Sequence, residues 1–207
     1  MQIKKGFNKL IDRVEKTNIY IIFAVILFVQ IVFMLYYCNM KQGFFVDEIW
    51  SYGLSNSYYH AQIWEDNGLD NVKIEPEIFK SYLTVNKGEE FSYGSVIYNQ
   101  THDAHPPLFY MVLHTISSFF PGKFSKWFGL IPNVIYFAIA MYLLLRVARC
   151  ISKKNIFNIL VLVLYGFSIG AVNSVTYVRM YMLLTVWCLF HQLLNILKIL
   201  STPGFFL

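Results

Sequence analysis

The stretch that decides the fold is IYIIFAVILFVQIVFMLYY, residues 19–37, in which Gln30 is the one side chain outside the apolar and aromatic types. A helix of this length extends about 28 Å at about 1.5 Å per residue, close to the thickness of a bilayer core. A cleaved signal peptide has a shorter apolar region followed by small residues, whereas tyrosines close this run. We interpret residues 19–37 as an uncleaved first membrane span.

Three further runs, residues 127–145, 156–178 and 180–200, are also long and apolar enough to cross a bilayer. The whole chain is 57% apolar and only 14% charged, whereas soluble domains carry about 25% charged residues. This composition excludes a disordered chain, collagen and a nucleic-acid-binding arm, so no nucleic acid is expected as a partner. It predicts an all-α protein, a polytopic transmembrane helical bundle.

The charge distribution predicts the topology. Residues 1–18 carry a net charge of +3, whereas residues 41–105 hold ten acidic and four basic residues. Positively charged segments stay in the cytoplasm, so we expect a cytoplasmic N-terminus and an extracytoplasmic loop over residues 38–126 of a multi-pass cell-membrane protein. The weak apolar periodicity of that loop predicts short helices and turns without a separate core.

Within the loop, residues 106–120 form an apolar segment that begins with two prolines. Its helix would extend only about 22 Å, which is short for a crossing. If it lies along the outer surface as a juxtamembrane helix, the strongest later basic cluster falls on the cytoplasmic side, as the charge rule favours. That cluster comprises Arg146, Arg149, Lys153 and Lys154.

Three polar clusters are candidates for chemistry. The first is Asp47-Glu48 in FFVDEIWSYG, close to the first span. Carboxylates among aromatic residues at a membrane surface are costly unless they are paired or used, so a general base or a divalent-cation ligand is one interpretation. A solvated loop pair is the other.

The second cluster is THDAHPPLFY, in which Asp103 and His105 precede the short helix. Asp103 is placed to cap that helix, and the pair could bind a metal or orient a phosphate; a plain capping turn is the alternative. The third is VTYVRMYMLL, in which Arg179 is predicted at the outer mouth between two spans. It could bind a phosphate or extend to the lipid headgroups, and Tyr177 and Tyr181 suit an interfacial belt.

Taken in order, these motifs resemble those of the GT-C membrane glycosyltransferases, specifically bacterial relatives of the protein O-mannosyltransferases and of the lipid A aminoarabinose transferase. The matching features are the acidic pair Asp47-Glu48, the HPPL helix start at His105 preceded by Asp103, and the turn Arg179-Met180-Tyr181. The resemblance covers almost the whole chain as one N-terminal GT-C-type membrane domain, residues 1–207.

The resemblance implies transfer of a sugar from a polyprenyl-phosphate donor to a glycolipid, polymer or protein acceptor on the outer membrane face. Asp47 would be the catalytic base, or the ligand of a divalent cation if one is used, and Glu48 would support it. The residues expected to bind substrate are Asp103, His105, Arg179 and Tyr181.

Family members usually have eight or more spans, so a truncated chain is expected, and a second chain would supply the missing spans. The alternative is a non-catalytic membrane protein, either an inactive remnant or a partner-dependent subunit. A transporter is a weaker alternative, because transporters place ionisable groups near the bilayer midplane and these groups lie in loops.

Overall fold

Helices account for all the regular secondary structure in residues 2–63 and 73–201, the part of the chain that the computed structural model describes. Three acidic residues of the predicted loop, at positions 65, 66 and 70, lie outside the described residues. The helices are α1 Gln2–Lys16, α2 Ile19–Met40, α3 Val46–Asn56, α4 Pro76–Leu83, α5 Tyr93–Thr101, α6 Leu108–Ser118, α7 Trp127–Ile151, α8 Asn155–Gly166, α9 Ile169–Thr176 and α10 Tyr181–Ser201.

Three of these helices, α2, α7 and α10, are long and apolar enough to cross a membrane. The pair α8 and α9 would make a fourth span, but the two helices are bent by 52° at the break between them. The protein is therefore a helical membrane protein with three or four candidate spans. The predicted run over residues 156–178 is two helices and not a single straight one.

The described residues divide into two compact units. The first, which we call the span unit, comprises Met1–Lys41, Val134–Thr176 and Tyr181–Leu207. The second, the loop unit, comprises Gln42–Asn133 and Tyr177–Met180. The boundary between the units falls inside α7.

In the span unit, α2 packs against α8 and α9, α1 packs against α8, and α9 packs against α8 and α10. Glu15 at the end of α1 accepts hydrogen bonds from the backbone N–H groups of Asn155 and Ile156, at 2.8 and 3.0 Å. These are two of the N–H groups that a helix start leaves without an intrahelical partner. One carboxylate thus joins the amphipathic N-terminal helix to the beginning of α8.

The loop unit has a buried core of its own, so the expectation that residues 38–126 lack one is wrong. Helix α3 packs against α4, α5 and α6, and α5 packs against α6. Weak periodicity concealed this core because large aromatic residues and small polar residues share it. Its fully buried large side chains are Tyr52, Phe109, Tyr110, Leu113, His114 and Leu130.

Candidate functional site

The carboxylate of Glu48 is fully buried at the beginning of α3. Its Oε2 accepts a hydrogen bond from the Phe45 N–H at 2.9 Å and so satisfies a backbone donor next to the helix start. Its Oε1 accepts a hydrogen bond from the Val178 N–H at 2.7 Å. Glu48 therefore ties α3 to a segment 130 residues away. This geometry suits the supporting role expected of Glu48, and a direct catalytic role stays a prediction.

Asp47, the neighbouring residue, is exposed. Its Oδ2 accepts a hydrogen bond of 2.9 Å from the hydroxyl of Tyr177. Its carbonyl oxygen accepts a hydrogen bond of 3.0 Å from Ser51 Oγ, one turn further along α3. The carboxylate is thus held from one side, and Oδ1 has no hydrogen-bond partner in the described part of the chain. An oriented, accessible carboxylate is suited to accept a proton.

Tyr177 acts as the hydrogen-bond donor to Asp47. Burial, together with the hydrogen bond to the Asp47 carboxylate, raises the pKa of Tyr177 to about 12. The phenol therefore keeps its proton at neutral pH and continues to donate. Its ring also packs edge-on against Phe45, with the ring centroids 5.6 Å apart.

Arg179 is only 5% exposed and lacks a counter-ion in the described part of the chain. Its Nη1 lies 3.3 Å from the Asp47 carbonyl oxygen and 3.5 Å from the Tyr110 hydroxyl. Both distances are long for a charged donor, which usually bonds at about 2.7–2.9 Å. Its Nε has no partner among the described residues. Because burying an unpaired cation is costly, this site is suited to an anion with several oxygen atoms.

Tyr110 connects this arginine to the second sequence cluster. The side chain is fully buried on α6. Burial raises the pKa of Tyr110 to about 12, with Arg179 lowering it and Asp103 raising it. Tyr110 therefore remains a neutral donor at pH 7, and its hydroxyl lies near both the guanidinium and the Asp103 carboxylate.

Asp103 and His105 form a pair, with Oδ2 and Nδ1 2.8 Å apart. The other carboxylate oxygen accepts a hydrogen bond from the Ala104 N–H at 2.8 Å. The N-cap of α6 is Pro107, so the expectation that Asp103 caps this helix is wrong. Its carboxylate instead orients the imidazole, in the way that carboxylates fix histidine tautomers.

The segment carrying Tyr177, Val178 and Arg179 is held against the beginning of α7. Asn133 Nδ2 donates a hydrogen bond of 2.8 Å to the Tyr177 carbonyl oxygen. Gly129 leaves room for Val178, because a Cβ at Gly129 would lie 2.1 Å from Val178 Cγ1. These contacts, with the bond from Val178 to Glu48, fix where Arg179 enters the site.

The structure thus brings five of the six predicted site residues into the loop unit around the Tyr110 hydroxyl or the Tyr177 segment. Tyr181 is the exception. It begins α10 in the span unit and is 40% exposed, and its role stays a prediction.

A divalent cation at Asp47 does not fit the residues described. Both oxygens of Glu48 already accept N–H groups, and the guanidinium of Arg179 would repel a cation. The residues described include no group of three or more histidine, cysteine or acidic side chains suited to holding a metal. The residues around Asp47 therefore fit the role of a base and not that of a metal ligand.

Tyr110 and Tyr177 are the site residues that sequence reasoning missed. Both are close in sequence to the recognised clusters, in THDAHPPLFY and VTYVRMYMLL. Near membrane-exposed runs, however, tyrosine is so commonly an interfacial residue that its type alone carries little signal. The hydrogen bond from Tyr177 to Asp47 and the proximity of Tyr110 to Arg179 emerge only from the folded chain.

No protein-family model, curated protein or solved structure matches the chain. The fold and the site define the class: a helical membrane protein with a compact helical unit that contains a buried, unpaired arginine next to an oriented aspartate.

Proposed function

We propose that this chain is, or forms the N-terminal part of, a membrane glycosyltransferase that moves a sugar from a polyprenyl-phosphate donor to an acceptor on the outer membrane face. The observation that carries the proposal is Arg179, buried without a counter-ion and in contact with the backbone of Asp47. A phosphate would supply the missing charge, and the aspartate would serve the acceptor.

The chemistry follows from these two groups. The acceptor hydroxyl attacks the anomeric carbon of the sugar while Oδ1 of Asp47 takes up the hydroxyl proton. The bond between that carbon and the phosphate oxygen breaks, and its electron pair stays on the phosphate. Arg179 and the Tyr110 hydroxyl stabilise the charge that develops there. Tyr177 keeps Asp47 oriented.

The orientation across the membrane is part of the proposal. The beginning of α2 and the end of α7 line the same cavity of the span unit. This supports an even number of crossings between them, with α6 lying along the surface and the loop on the outer side. The excess of acidic residues in residues 41–105 supports the same orientation.

The acceptor would be a glycolipid, a cell-wall polymer or a protein. The polyprenyl tail of the donor would lie in the surrounding membrane lipid. A second chain supplying further spans would complete the donor site if this chain acts as one part of the enzyme.

The test separates donor binding from transfer. The full chain is purified in detergent, and binding of undecaprenyl phosphate is compared with binding of undecaprenol, which has the same tail without the phosphate. We expect tighter binding of the phosphate and a loss of about 10–100-fold in Arg179→Gln, because charge-assisted hydrogen bonds contribute about 1.5–3 kcal/mol. Lys123→Gln removes an exposed charge of the same unit and should bind normally.

Transfer is then measured in membranes supplied with polyprenyl-phosphate sugars. We expect Asp47→Asn to bind undecaprenyl phosphate normally and to abolish transfer, whereas Glu77→Gln, which removes an exposed carboxylate of the loop unit, should leave transfer intact. Equal binding of the alcohol and the phosphate would reject the arginine's role. Near-normal transfer by Asp47→Asn would reject the base.

A further inference from the structure

A second basic site lies in the span unit, formed by residues that the proposed transfer does not use. A cavity of about 560 Å³ is bordered by the beginning of α2, the end of α7 and the end of α10. Its walls are formed by Tyr20, Arg146, Arg149, Cys150, Lys153 and Leu197. The cavity therefore lies where three candidate membrane spans end together.

Three cations face this cavity, and none forms an ion pair with a described carboxylate. The hydrogen bonds they do form are to neutral groups. Arg146 Nη1 donates to the Tyr142 hydroxyl at 3.0 Å, and Lys153 Nζ donates to the Arg149 carbonyl oxygen at 2.9 Å. The guanidinium of Arg149 has no hydrogen-bond partner among the described residues.

The carboxylate of Glu15, in the same unit, forms no ion pair with these cations. Both of its oxygens accept backbone N–H groups at the beginning of α8. Like charges that share a cavity repel each other, and an anion bound between them would relieve that repulsion. The charge pattern therefore points to an anionic ligand.

The apolar walls narrow the class of ligand. Tyr20 is 48% exposed and Leu197 is 43% exposed, and both belong to helices with long apolar faces. A free phosphate ion would use the cations but gain nothing from these side chains. A phospholipid would use both, with its phosphate among the cations and its acyl chains along α2 and α10.

We propose that this cavity binds the phosphate headgroup of an anionic glycerophospholipid, with Arg146, Arg149 and Lys153 as the recognising groups. Basic cavities between membrane helices are suited to this role. The proposal rests on the span unit alone and does not depend on the glycosyltransferase proposal.

Binding is tested on the full chain purified in detergent, by titration with phosphatidylglycerol, with phosphatidylcholine of the same acyl chains, and with inorganic phosphate. We expect phosphatidylglycerol to bind at least tenfold more tightly than the other two. The variant Arg146→Gln/Arg149→Gln should lose that preference. The control Lys87→Gln/Lys123→Gln removes two exposed charges of the loop unit and should keep it.

Cys150 gives a second readout that does not require a stable arginine variant, because it lines the cavity and is partly exposed. In a Cys188→Ser background, we expect phosphatidylglycerol to slow maleimide labelling of Cys150 severalfold, and phosphatidylcholine to leave it unchanged. Because these measurements use protein in detergent and not in a bilayer, any role of the cations in orienting the chain across the membrane does not affect the result.

Three outcomes would overturn the proposal. The first is equal binding of the two lipids, which would mean non-specific solvation of the helices. The second is inorganic phosphate binding as tightly as phosphatidylglycerol, which would mean an anion site without lipid recognition. The third is unchanged Cys150 labelling at saturating phosphatidylglycerol, which would locate the lipid elsewhere.

Discussion

Two adjacent carboxylates have opposite environments at the beginning of α3. Glu48 is fully buried and accepts two backbone N–H groups, whereas Asp47 is exposed and accepts one tyrosine hydroxyl. Adjacent helical residues point about 100° apart, which is why one faces the core and the other the surface. The dipeptide therefore combines a residue that positions the backbone with a residue free to exchange a proton.

The hydrogen bond from Tyr177 to Asp47 is testable through Tyr177→Phe. We expect this change to lower turnover about tenfold while leaving undecaprenyl phosphate binding unchanged, because the phenyl ring retains its packing and the donor to the carboxylate is lost. Transfer assays measure the turnover, and titration with undecaprenyl phosphate measures the binding.

Tyr98→Phe is the matched control, because it removes the hydroxyl of an exposed tyrosine of the same unit. Tyr181→Phe is a separate test of Tyr181, the predicted substrate-binding residue at the beginning of α10 in the span unit. A loss confined to donor affinity in Tyr177→Phe would mean that this tyrosine binds the donor and does not orient the base.

At the scale of elements, Gln30 explains how α2 accommodates a polar side chain. The residue is fully buried, and its Nε2 donates a hydrogen bond of 2.9 Å to the Leu162 carbonyl oxygen on α8. Gly166, at the end of α8, makes the space, because a Cβ there would lie 2.1 Å from Gln30 Nε2. The bend between α8 and α9 follows directly after this glycine. Gln30, the one polar residue of the apolar run at residues 19–37, thus contributes to the packing of α2 against α8.

Gly166→Ala should therefore destabilise the span unit by about 1–3 kcal/mol, because it displaces Gln30 and leaves buried polar groups without partners. Thermal unfolding in detergent measures the change. Gly170→Ala is the control, since its Cβ would meet only Ser168 Oγ at 3.8 Å.

Adding Gln30→Ala to Gly166→Ala should restore part of the lost stability by removing the side chain that clashes. An unchanged unfolding temperature in Gly166→Ala alone would contradict the close contact between Gly166 and Gln30.

At the scale of the whole molecule, the two units respond to acid through different groups. In the loop unit, burial lowers the pKa of His114 from its ordinary value of 6.5. In the span unit, hydrogen bonds from the Ile156 and Asn155 N–H groups lower the pKa of Glu15 from 4.5. Since carboxylates and imidazoles titrate in different ranges, these contributions are separable.

We expect the folded protein to lose stability as the pH falls below about 6.5, because the unfolded chain then protonates His114 while the folded chain does not. The stabilising effect of Glu15 is present above its unfolded pKa and is lost only as the pH falls through its lower folded value. Unfolding temperatures between pH 7.5 and 5 measure the effect of His114. Each kcal/mol of lost stability should lower the unfolding temperature by about 2–4 °C.

His114→Leu should flatten this dependence, since the substitution removes the buried titrating group. His60→Gln is the control, because it removes a histidine from the same unit but from a less buried position. A His114→Leu profile as steep as that of the unaltered chain would assign the acid sensitivity to other groups.

The sequence by itself determined the helical class and the positions of the long apolar helices. The runs at residues 19–37, 127–145 and 180–200 coincide with α2, α7 and α10, because hydropathy and length are local properties that any bilayer-crossing helix must satisfy. The three polar clusters were also recognisable from the sequence, because charged residues next to long apolar runs are unusual whatever the fold.

Only the tertiary structure decided how those clusters meet. The bonds from Tyr177 and Val178 to the Asp47-Glu48 pair span 130 residues, and no local pattern encodes contacts at such separation. The same holds for the core of the loop unit and for the bend after Gly166, which depend on how aromatic, polar and glycine residues pack against other helices. Local composition determines which helices form, whereas complementary packing over long sequence separations decides that Arg179 is buried without a counter-ion beside Asp47.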